Sequence, residues 1–263
     1  MNATDNITEQ TFWEHLDELR GCLIRIGAVV VIFGIAAFLF KDETFAIILA
    51  PKSDSFIIYK AFAFVSERLS LPGVAPEAFS VKLINTGLAE QFVIHMRAAI
   101  YTGILIASPY IIYTLFRFIS PALYSQEKKY AARVVGSSYV MFMLGVALSY
   151  FLIFPLTFRF LGTYQVSGEV ENMISLQSYM DTLMMMNLMM GIVFEIPILC
   201  WLLAKFGLLS AAFMRRYHRH AIVVILVLAA IITPTSDVFT LLMVSLPMWL
   251  LYEISILIVK HTR

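Results

Sequence analysis

Long runs of apolar residues, nearly free of charge, recur along the whole chain. Six of them approach the roughly 20 residues that a helix needs to cross about 30 Å of hydrocarbon, and they cover residues 23–40, 98–116, 134–158, 182–204, 221–236 and 238–259. The runs are continuously apolar and do not alternate with polar positions, which favours helices over a membrane β-barrel. The pattern therefore predicts an all-α membrane protein with six transmembrane helices.

The fifth run, residues 221–236, is shorter than the others. At about 1.5 Å per residue, it makes a helix of roughly 24 Å. We therefore expect the fifth span and its hairpin partner, the sixth, to be short, with a locally thinned bilayer around them.

The connection at 41–94 is the one sizeable segment outside the predicted spans. It has turn signals around Pro51 and at 71–76, and its apolar-rich pieces predict helices on the outer surface. No inverted repeat is visible in the chain, so the usual sequence sign of a secondary transporter is missing. We interpret residues 1–263 as a single membrane domain.

The composition is typical of a membrane protein, and the distribution of charge predicts its orientation in the membrane. Apolar residues make up 60% of the 263 positions and charged residues only 14%, which is unlike a soluble domain. The stretches 117–133 and 205–220 carry four Lys or Arg each, whereas 159–181 carries one and 233–237 carries none. This asymmetry predicts that both termini face the cytoplasm.

Several other features narrow the class of protein. The first 20 residues lack the basic and apolar regions of a cleavable signal peptide. The two cysteines, Cys22 and Cys200, belong to different predicted spans, so we expect no disulfide. No Cys and His spacing typical of a metal site is present, and we expect neither a metal nor another cofactor, and no nucleic-acid partner.

Glu195 is the most unusual residue of the predicted spans because it places a carboxylate in the middle of the fourth run. An ionised carboxylate near mid-membrane costs several kcal/mol unless it is paired, wetted or protonated. Pro197 follows two residues later, and it frees a backbone carbonyl and bends the helix. The residues allow a carboxyl bonded within the bundle, a groove that receives a partner, or the carrier site of an ion-coupled transporter.

Acidic residues also stand near the predicted cytoplasmic face. The stretch "TFWEHLDELRGCL" (11–23) is an amphipathic helix with an apolar stripe and an acidic stripe, the latter formed by Glu14, Asp17 and Glu18. It is either an interfacial anchor or a docking surface for a cationic peptide. Glu127 stands beside two lysines, as an ordinary surface charge would.

Three further features have ordinary structural interpretations. Asp237, in the turn "TPTSD" (233–237), is placed to cap the sixth span. Glu253 lies near the inner end of that span, where a long side chain reaches the interface. The methionine-rich run at 180–191 indicates adaptable helix packing or, alternatively, a surface for varied apolar partners.

Five motifs occur in a fixed order along the chain: "HLDELR" (15–20), "SPYIIYTLFRFISPALYSQE" (108–127), "FEIP" (194–197), "TPTSD" (233–237) and "LPMWLLYE" (246–253). Together they resemble the motifs of the TatC family, the signal-peptide receptor subunit of the twin-arginine, Sec-independent protein translocase. The resemblance covers the chain from His15 to Glu253. Any one motif alone is weak, whereas the ordered set is specific.

The resemblance implies a concave six-helix bundle in the bacterial inner membrane that is not an enzyme. It implies binding of twin-arginine signal peptides at the cytoplasmic face, by residues that match Glu18, Arg20, Phe118, Pro121 and Glu127. The planar guanidinium pairs with carboxylates through two hydrogen bonds, which lysine cannot do, so an Arg-Arg signal suits an acidic patch.

The resemblance also implies partners. TatA-like and TatB-like single-span proteins would meet a groove at Glu195, Thr233 and Asp237, in a complex that holds several copies of the chain and exports folded proteins with the proton-motive force. Pro51, Glu90 and Phe92 match loop and structural positions.

Two positions depart from the family pattern. Cys22 replaces a frequent second basic residue after "ELR", and Leu241 replaces a frequent glutamine four residues after Asp237. Two other classes remain as alternatives: an ion-coupled transporter with Glu195 as its carrier site, and an intramembrane protease. The protease needs a Ser and His pair or two membrane aspartates, and the spans offer no convincing set.

Overall fold

The computed structural model describes residues 12–61, 82–119, 131–167, 169, 172–233 and 237–262. Most of these residues are helical, and two short strands accompany the helices. The helices are α1 (Phe12–Leu39), α2 (Lys41–Leu49), α3 (Glu90–Ile119), α4 (Ala131–Leu148), α5 (Phe154–Thr163), α6 (Leu176–Val193), α7 (Ile196–Lys205), α8 (Ala211–Arg216), α9 (His218–Ile232) and α10 (Val238–Thr262).

Within the described residues, five helical stretches are long and apolar enough to cross a membrane: Leu16–Leu39, Glu90–Phe118, Val134–Thr163, Leu176–Lys205 and Val238–Thr262. A shorter apolar helix, α9, stands where the sequence predicts the short fifth span, and its 15 residues make about 22 Å. The expectation of a short sixth span is wrong, since α10 has 25 residues. The predicted run 238–259 alone makes a helix of about 33 Å, and the helix continues past it through Lys260 and His261.

The second and third spans also extend beyond the predicted runs. Helix α3 begins at Glu90 rather than at 98. Helices α4 and α5 are joined by a π-helical turn, Ser149–Ile153, so the third span continues to Thr163. Pro155 lies in the first turn of α5 and lacks the N–H that would bond four residues back, which accounts for the local change in helix geometry.

Small residues set the closest approaches between helices. Helix α1 packs along α3, and a Cβ added at Gly103 of α3 would lie 2.8 Å from the backbone nitrogen of Gly34 of α1. Helix α4 packs against α6, and a Cβ at Gly145 of α4 would lie 2.5 Å from the backbone oxygen of Met190 of α6. Close backbone contact at small residues is the usual way in which membrane helices associate.

The main core is rich in methionine. Met180, Met186 and Met190 of α6 are fully buried and belong to the same apolar cluster as Phe154 and Tyr179. The packing interpretation of the methionine-rich run is therefore confirmed for these three side chains. Met185 on the same helix is 37% exposed and points away from that core.

Segments that are distant in sequence meet at the start of α3 and α6. Strand β1 (Leu83–Ile84) pairs in parallel with strand β2 (Ile174–Ser175), with Leu83 opposite Ile174. Strand β2 runs directly into α6, and β1 precedes α3 by a short turn, so this pairing holds the beginnings of α3 and α6 side by side.

The segment after α1 is partly helical, as predicted, with α2, a 3-10 turn at Ala50–Lys52 and a helical turn at 57–61. Tyr59 anchors it, because its hydroxyl donates to the carbonyl of Pro155 at 2.9 Å and to that of Pro51 at 3.3 Å. Burial raises the pKa of Tyr59 to about 12. Arg159 also lies 5.4 Å from the centre of the Tyr59 ring, which adds a cation–π contact.

Candidate functional site

Glu195 lies at a break in the fourth span. Helix α6 ends at Val193, α7 begins at Ile196, and the two residues between them form a turn. Pro197 stands in the first turn of α7, where its missing N–H costs nothing for α7 but ends the continuous bonding from α6. The helix is interrupted beside Pro197, and Glu195 lies in the interruption.

The two carboxylate oxygens of Glu195 have different surroundings. The hydroxyl of Ser138, on α4, donates a hydrogen bond to Oε2. The other oxygen, Oε1, is buried and accepts no hydrogen bond from any residue that the structure describes. The interpretation of a carboxyl bonded within the bundle thus holds for one oxygen, and the second keeps an unused acceptor.

The position of Ser138 relative to Glu195 depends on the contact between α4 and α6. Gly145 follows Ser138 by two helical turns on the same face of α4, and its Cα approaches Met190 and Phe194 so closely that an added Cβ would overlap both. Gly191 makes the reciprocal approach to Phe142. Two glycines therefore fix the distance between the helices that carry the hydroxyl and the carboxylate.

The predicted signal-peptide patch is described in part. Glu18 is half-buried and Arg20 is exposed, and Glu18 Oε2 is buried without a hydrogen bond from the described residues. Phe118 is half-buried near the end of α3. Pro121 and Glu127 lie outside the described residues.

Helices α1 and α3 bring Glu18 and Phe118 to the same end of the bundle. The helices run antiparallel, since Gly34 faces Gly103 while Phe38 stacks on His95 with ring centres 4.0 Å apart. The first turns of α1 therefore reach the level of the last turn of α3, where Phe118 lies. The structure thus places two members of the predicted patch at one end.

The turn before α10 uses its polar residues for capping. Asp237 Oδ2 accepts the N–H of Thr240 at 2.7 Å, which confirms the predicted cap of the sixth span. The hydroxyl of Thr233 donates to the carbonyl of Ala229 at 3.0 Å, and Thr233 is only 4% exposed. Thr233 therefore presents little surface to a partner helix in this arrangement. Leu241 packs against the main core.

Glu90 joins the beginnings of two helices. Its Oε2 accepts the N–H groups of Gly87 at 2.7 Å and Thr86 at 3.0 Å, in front of α3, and its Oε1 accepts the N–H of Gln177 at 3.3 Å, in the first turn of α6. The carboxylate thus pairs two N–H groups of the turn before α3 and one N–H at the positive dipole end of α6. An acidic residue three positions after a glycine, at the start of a helix, is the signal that sequence reasoning could have used.

The other two predicted structural positions differ in exposure. Pro51 is buried in the 3-10 turn after α2, and its carbonyl accepts the Tyr59 hydroxyl. Phe92 of α3 is 61% exposed, so it offers its ring to the surroundings of the protein.

Several polar contacts were not predicted from the sequence. Arg97 of α3 and Asp181 of α6 form an ion pair at 3.0 Å. Asn187, fully buried within the methionine-rich run, donates to the Tyr101 hydroxyl at 3.0 Å. Glu253, which we expected near the interface, lies 3.3 Å from His218, the first residue of α9.

No group of three or more His, Cys, Asp or Glu side chains suited to a metal ion occurs within the described part of the chain. Cys22 is buried, Cys200 is half-buried, and both are free thiols. The site therefore offers hydrogen-bonding carboxylates and apolar surfaces, which suit the binding of peptides and helices.

Comparisons with known proteins agree with these features. The family described as "Sec-independent protein translocase protein (TatC)" matches residues 14–247. The protein of that name from Blattabacterium sp. subsp. Periplaneta americana is 33% identical, over 95% of this chain and 95% of the relative. The protein from Desulforapulum autotrophicum is 33% identical, over 94% of this chain and 83% of the relative.

Solved structures give the same result. The one described as "Crystal Structure of Twin Arginine Translocase Receptor- TatC" has a TM-score of 0.75 and 32% identity, and the match covers 95% of this chain and 99% of that chain. A second structure of that receptor, in the detergent DDM, has a TM-score of 0.76 over 94% of this chain. The chain therefore belongs to the TatC family, the multi-pass membrane components of the Sec-independent protein translocase, which are not enzymes.

Proposed function

We propose that this chain is the receptor and assembly core of a twin-arginine translocase in the bacterial inner membrane. It binds twin-arginine signal peptides at the cytoplasmic face and organises TatA-like and TatB-like single-span partners. The complex holds several copies of the chain and exports folded proteins with the proton-motive force. The ion-coupled transporter is not favoured, since the chain belongs to a family of protein translocase components.

The observation that carries the assembly role is the unused oxygen of Glu195. A buried acceptor without a donor costs about 1–3 kcal/mol, and a helix break keeps this one in the middle of a span. A polar group on an incoming transmembrane helix would offset that cost once the half-buried Glu195 side chain turns to meet it. We therefore assign Glu195 to a groove for a partner helix, with Thr233 and Asp237 at the turn between α9 and α10.

The receptor role rests on Glu18. Its Oε2 accepts no hydrogen bond from the described residues, and it lies at the same end of the bundle as Phe118. A guanidinium would supply two parallel donors to such a carboxylate. We place the paired arginines of a signal peptide there, with Arg20, Phe118 and Pro121 shaping the site and Glu127 as the second acid.

Charge supports the proposed orientation. Arg117 ends α3, Lys205 ends α7, and Lys260 lies in the last turn of α10. These ends face the same side if the short helix α9 also crosses the membrane, which gives six spans in one domain and both termini in the cytoplasm. A bilayer thinned to about 22 Å would accommodate α9.

The receptor role is tested by peptide binding in nanodiscs. We expect an Arg-Arg signal peptide to bind more tightly than its Lys-Lys twin, and Glu18→Gln and Glu127→Gln to remove that preference. Loss of one charge-assisted contact should weaken binding roughly tenfold or more. Glu169→Gln is the matched control, because Glu169 is an exposed acid outside the proposed patch. Equal binding of both peptides to the unmodified protein would contradict the proposal.

The assembly role is tested at Glu195. Glu195→Ala should leave peptide binding unchanged and reduce cross-linking to single-span partners and transport of a folded substrate. Glu195→Gln keeps the size of the side chain and one acceptor oxygen, so it separates a requirement for charge from a requirement for a hydrogen bond. Full transport and partner cross-linking by Glu195→Ala would refute the role.

A further inference from the structure

A cavity of about 510 Å³ lies between α1, α2, α3 and α4. Its wall includes Ala37 of α1, Thr44 of α2, Leu105 of α3 and Ala147 of α4, with Asn187 of α6 behind them. The volume falls in the range that holds a small organic molecule or part of a larger one. The cavity is separate from the Glu195 groove and from the predicted signal-peptide patch.

The wall is apolar because its polar groups bond within the protein. The Tyr150 hydroxyl donates to the carbonyl of Ile47 at 2.6 Å, and Asn187 Nδ2 donates to the Tyr101 hydroxyl at 3.0 Å. The amide oxygen of Asn187 is the one buried wall acceptor without a hydrogen bond from the described residues. A bound water needs about two to four polar partners, so this wall cannot hold a set of ordered waters.

The rim of the cavity consists of exposed apolar side chains. Ile106 of α3 and Phe151 of the π-helical turn, both within membrane-spanning segments, are 48% and 47% exposed. Phe40 and Ile47, at the end where α1 meets α2, are 62% and 63% exposed. The mouth therefore opens toward the hydrocarbon of the bilayer, where acyl chains surround the protein.

One charged residue stands at the edge of the mouth. Glu43 lines the cavity and is exposed, and Lys41 is exposed two residues earlier in the first turn of α2. This turn directly follows a membrane-spanning segment that ends at Leu39, which is the depth of lipid headgroups. The Glu43 carboxylate at the mouth complements the primary ammonium of a lipid headgroup, whereas Lys41, two residues away on the helix, projects from another side of α2.

We propose that this cavity binds one acyl chain of a zwitterionic phospholipid with a primary ammonium group, as in phosphatidylethanolamine. The headgroup lies against α2, with its ammonium donating to Glu43. This binding site goes beyond the proposed receptor and assembly function and does not depend on it.

Photocross-linking tests the acyl chain. The protein is placed in nanodiscs of phosphatidylethanolamine and phosphatidylglycerol that contain a phosphatidylethanolamine with a diazirine on one acyl chain, and the labelled peptides are mapped by mass spectrometry. We expect label at 36–48 and 143–151. Ala147→Phe fills the cavity and should abolish that label, whereas Ala28→Phe, at an exposed alanine of α1, should keep it. If Ala147→Phe does not fold, Leu105→Phe narrows the cavity from the opposite wall.

The headgroup is tested by comparing diazirine lipids with ethanolamine and glycerol heads. Glu43→Gln should reduce labelling by the ethanolamine lipid roughly threefold, the size expected for one exposed ion pair, and Asp42→Asn should not. Equal labelling in Ala147→Phe and unmodified protein would overturn the site. Labelling that is equal for the two headgroups and unchanged by Glu43→Gln would overturn the assignment to an ethanolamine lipid. Absence of lipid label, with a signal peptide cross-linked to the same wall, would assign the cavity to a peptide instead.

Discussion

Gly145→Ala is the change that most directly tests the packing around Glu195. The added Cβ would lie 2.5 Å from the carbonyl oxygen of Met190 and 2.8 Å from Cγ of Phe194. The first of these atoms is backbone, so it cannot turn away as the end of a flexible side chain can. The overlap can be relieved only if α6 moves away from α4.

The expected cost follows from two opposing effects. Overpacking of a close contact typically costs about 1–3 kcal/mol, while replacement of a helical glycine by alanine recovers about 0.5–1 kcal/mol. We expect a net loss of roughly 1–2 kcal/mol. Gly136→Ala is the matched control on the same helix, because a Cβ there has nothing within 4 Å, and it should be neutral or stabilising.

The free energy of unfolding can be measured by titration of the protein in mixed micelles with a denaturing detergent, followed by circular dichroism. We expect Gly145→Ala to unfold at lower detergent than Gly136→Ala and to lose partner cross-linking at Glu195, because separation of the helices also separates Ser138 from the carboxylate. Equal stability of the two alanine variants would refute the close contact between α4 and α6.

Three other changes test the remaining contacts. Gly103→Ala should lower stability by about 1–3 kcal/mol, because its Cβ would lie 2.8 Å from the backbone of Gly34. Gly34→Ala should be tolerated, because its Cβ has no neighbour closer than 3.6 Å. Glu90→Gln should lower stability and speed amide hydrogen exchange at Gln177; unchanged exchange there would contradict the shared cap. Asp237→Ala should cost about 1 kcal/mol and speed exchange in the first turn of α10, and protection equal to that of the unmodified protein would rule out the capping role.

The positions of the spans could be predicted because apolar runs report directly on burial in a bilayer. The ends of the spans could not be predicted, because contacts with other helices accommodate charged residues within α3. Helix α3 continues outward to Glu90 while His95 stacks on Phe38 and Arg97 pairs with Asp181. A prediction from hydropathy ends the span at such residues, because it takes no account of the contacts that α1 and α6 provide.

The candidate site could likewise be predicted only in part from the sequence. Glu195 is visible in the sequence as a charge in an apolar run, and Pro197 predicts the bend beside it. Ser138 is one of many serines in the chain, and it lies 57 residues before Glu195. Its role depends on the close contact of α4 with α6, which a single sequence does not specify. Glu90 was named only from a family resemblance, because its bond to Gln177 requires the start of α6 to lie beside the start of α3.

The asymmetry of Glu195 constrains the chemistry of its proposed partner. Ser138 donates to Oε2, so that oxygen is already engaged and the partner must address Oε1. If the carboxylate is ionised, Oε1 only accepts, and the partner helix must bring a donor such as a hydroxyl, an amide or a cation. If the carboxyl is protonated at Oε1, it donates, and the partner must bring an acceptor. A partner helix with only a carbonyl-type acceptor at this depth would therefore bind Glu195 in its neutral form and bind more weakly as the pH rises, whereas a cationic partner would show the opposite dependence.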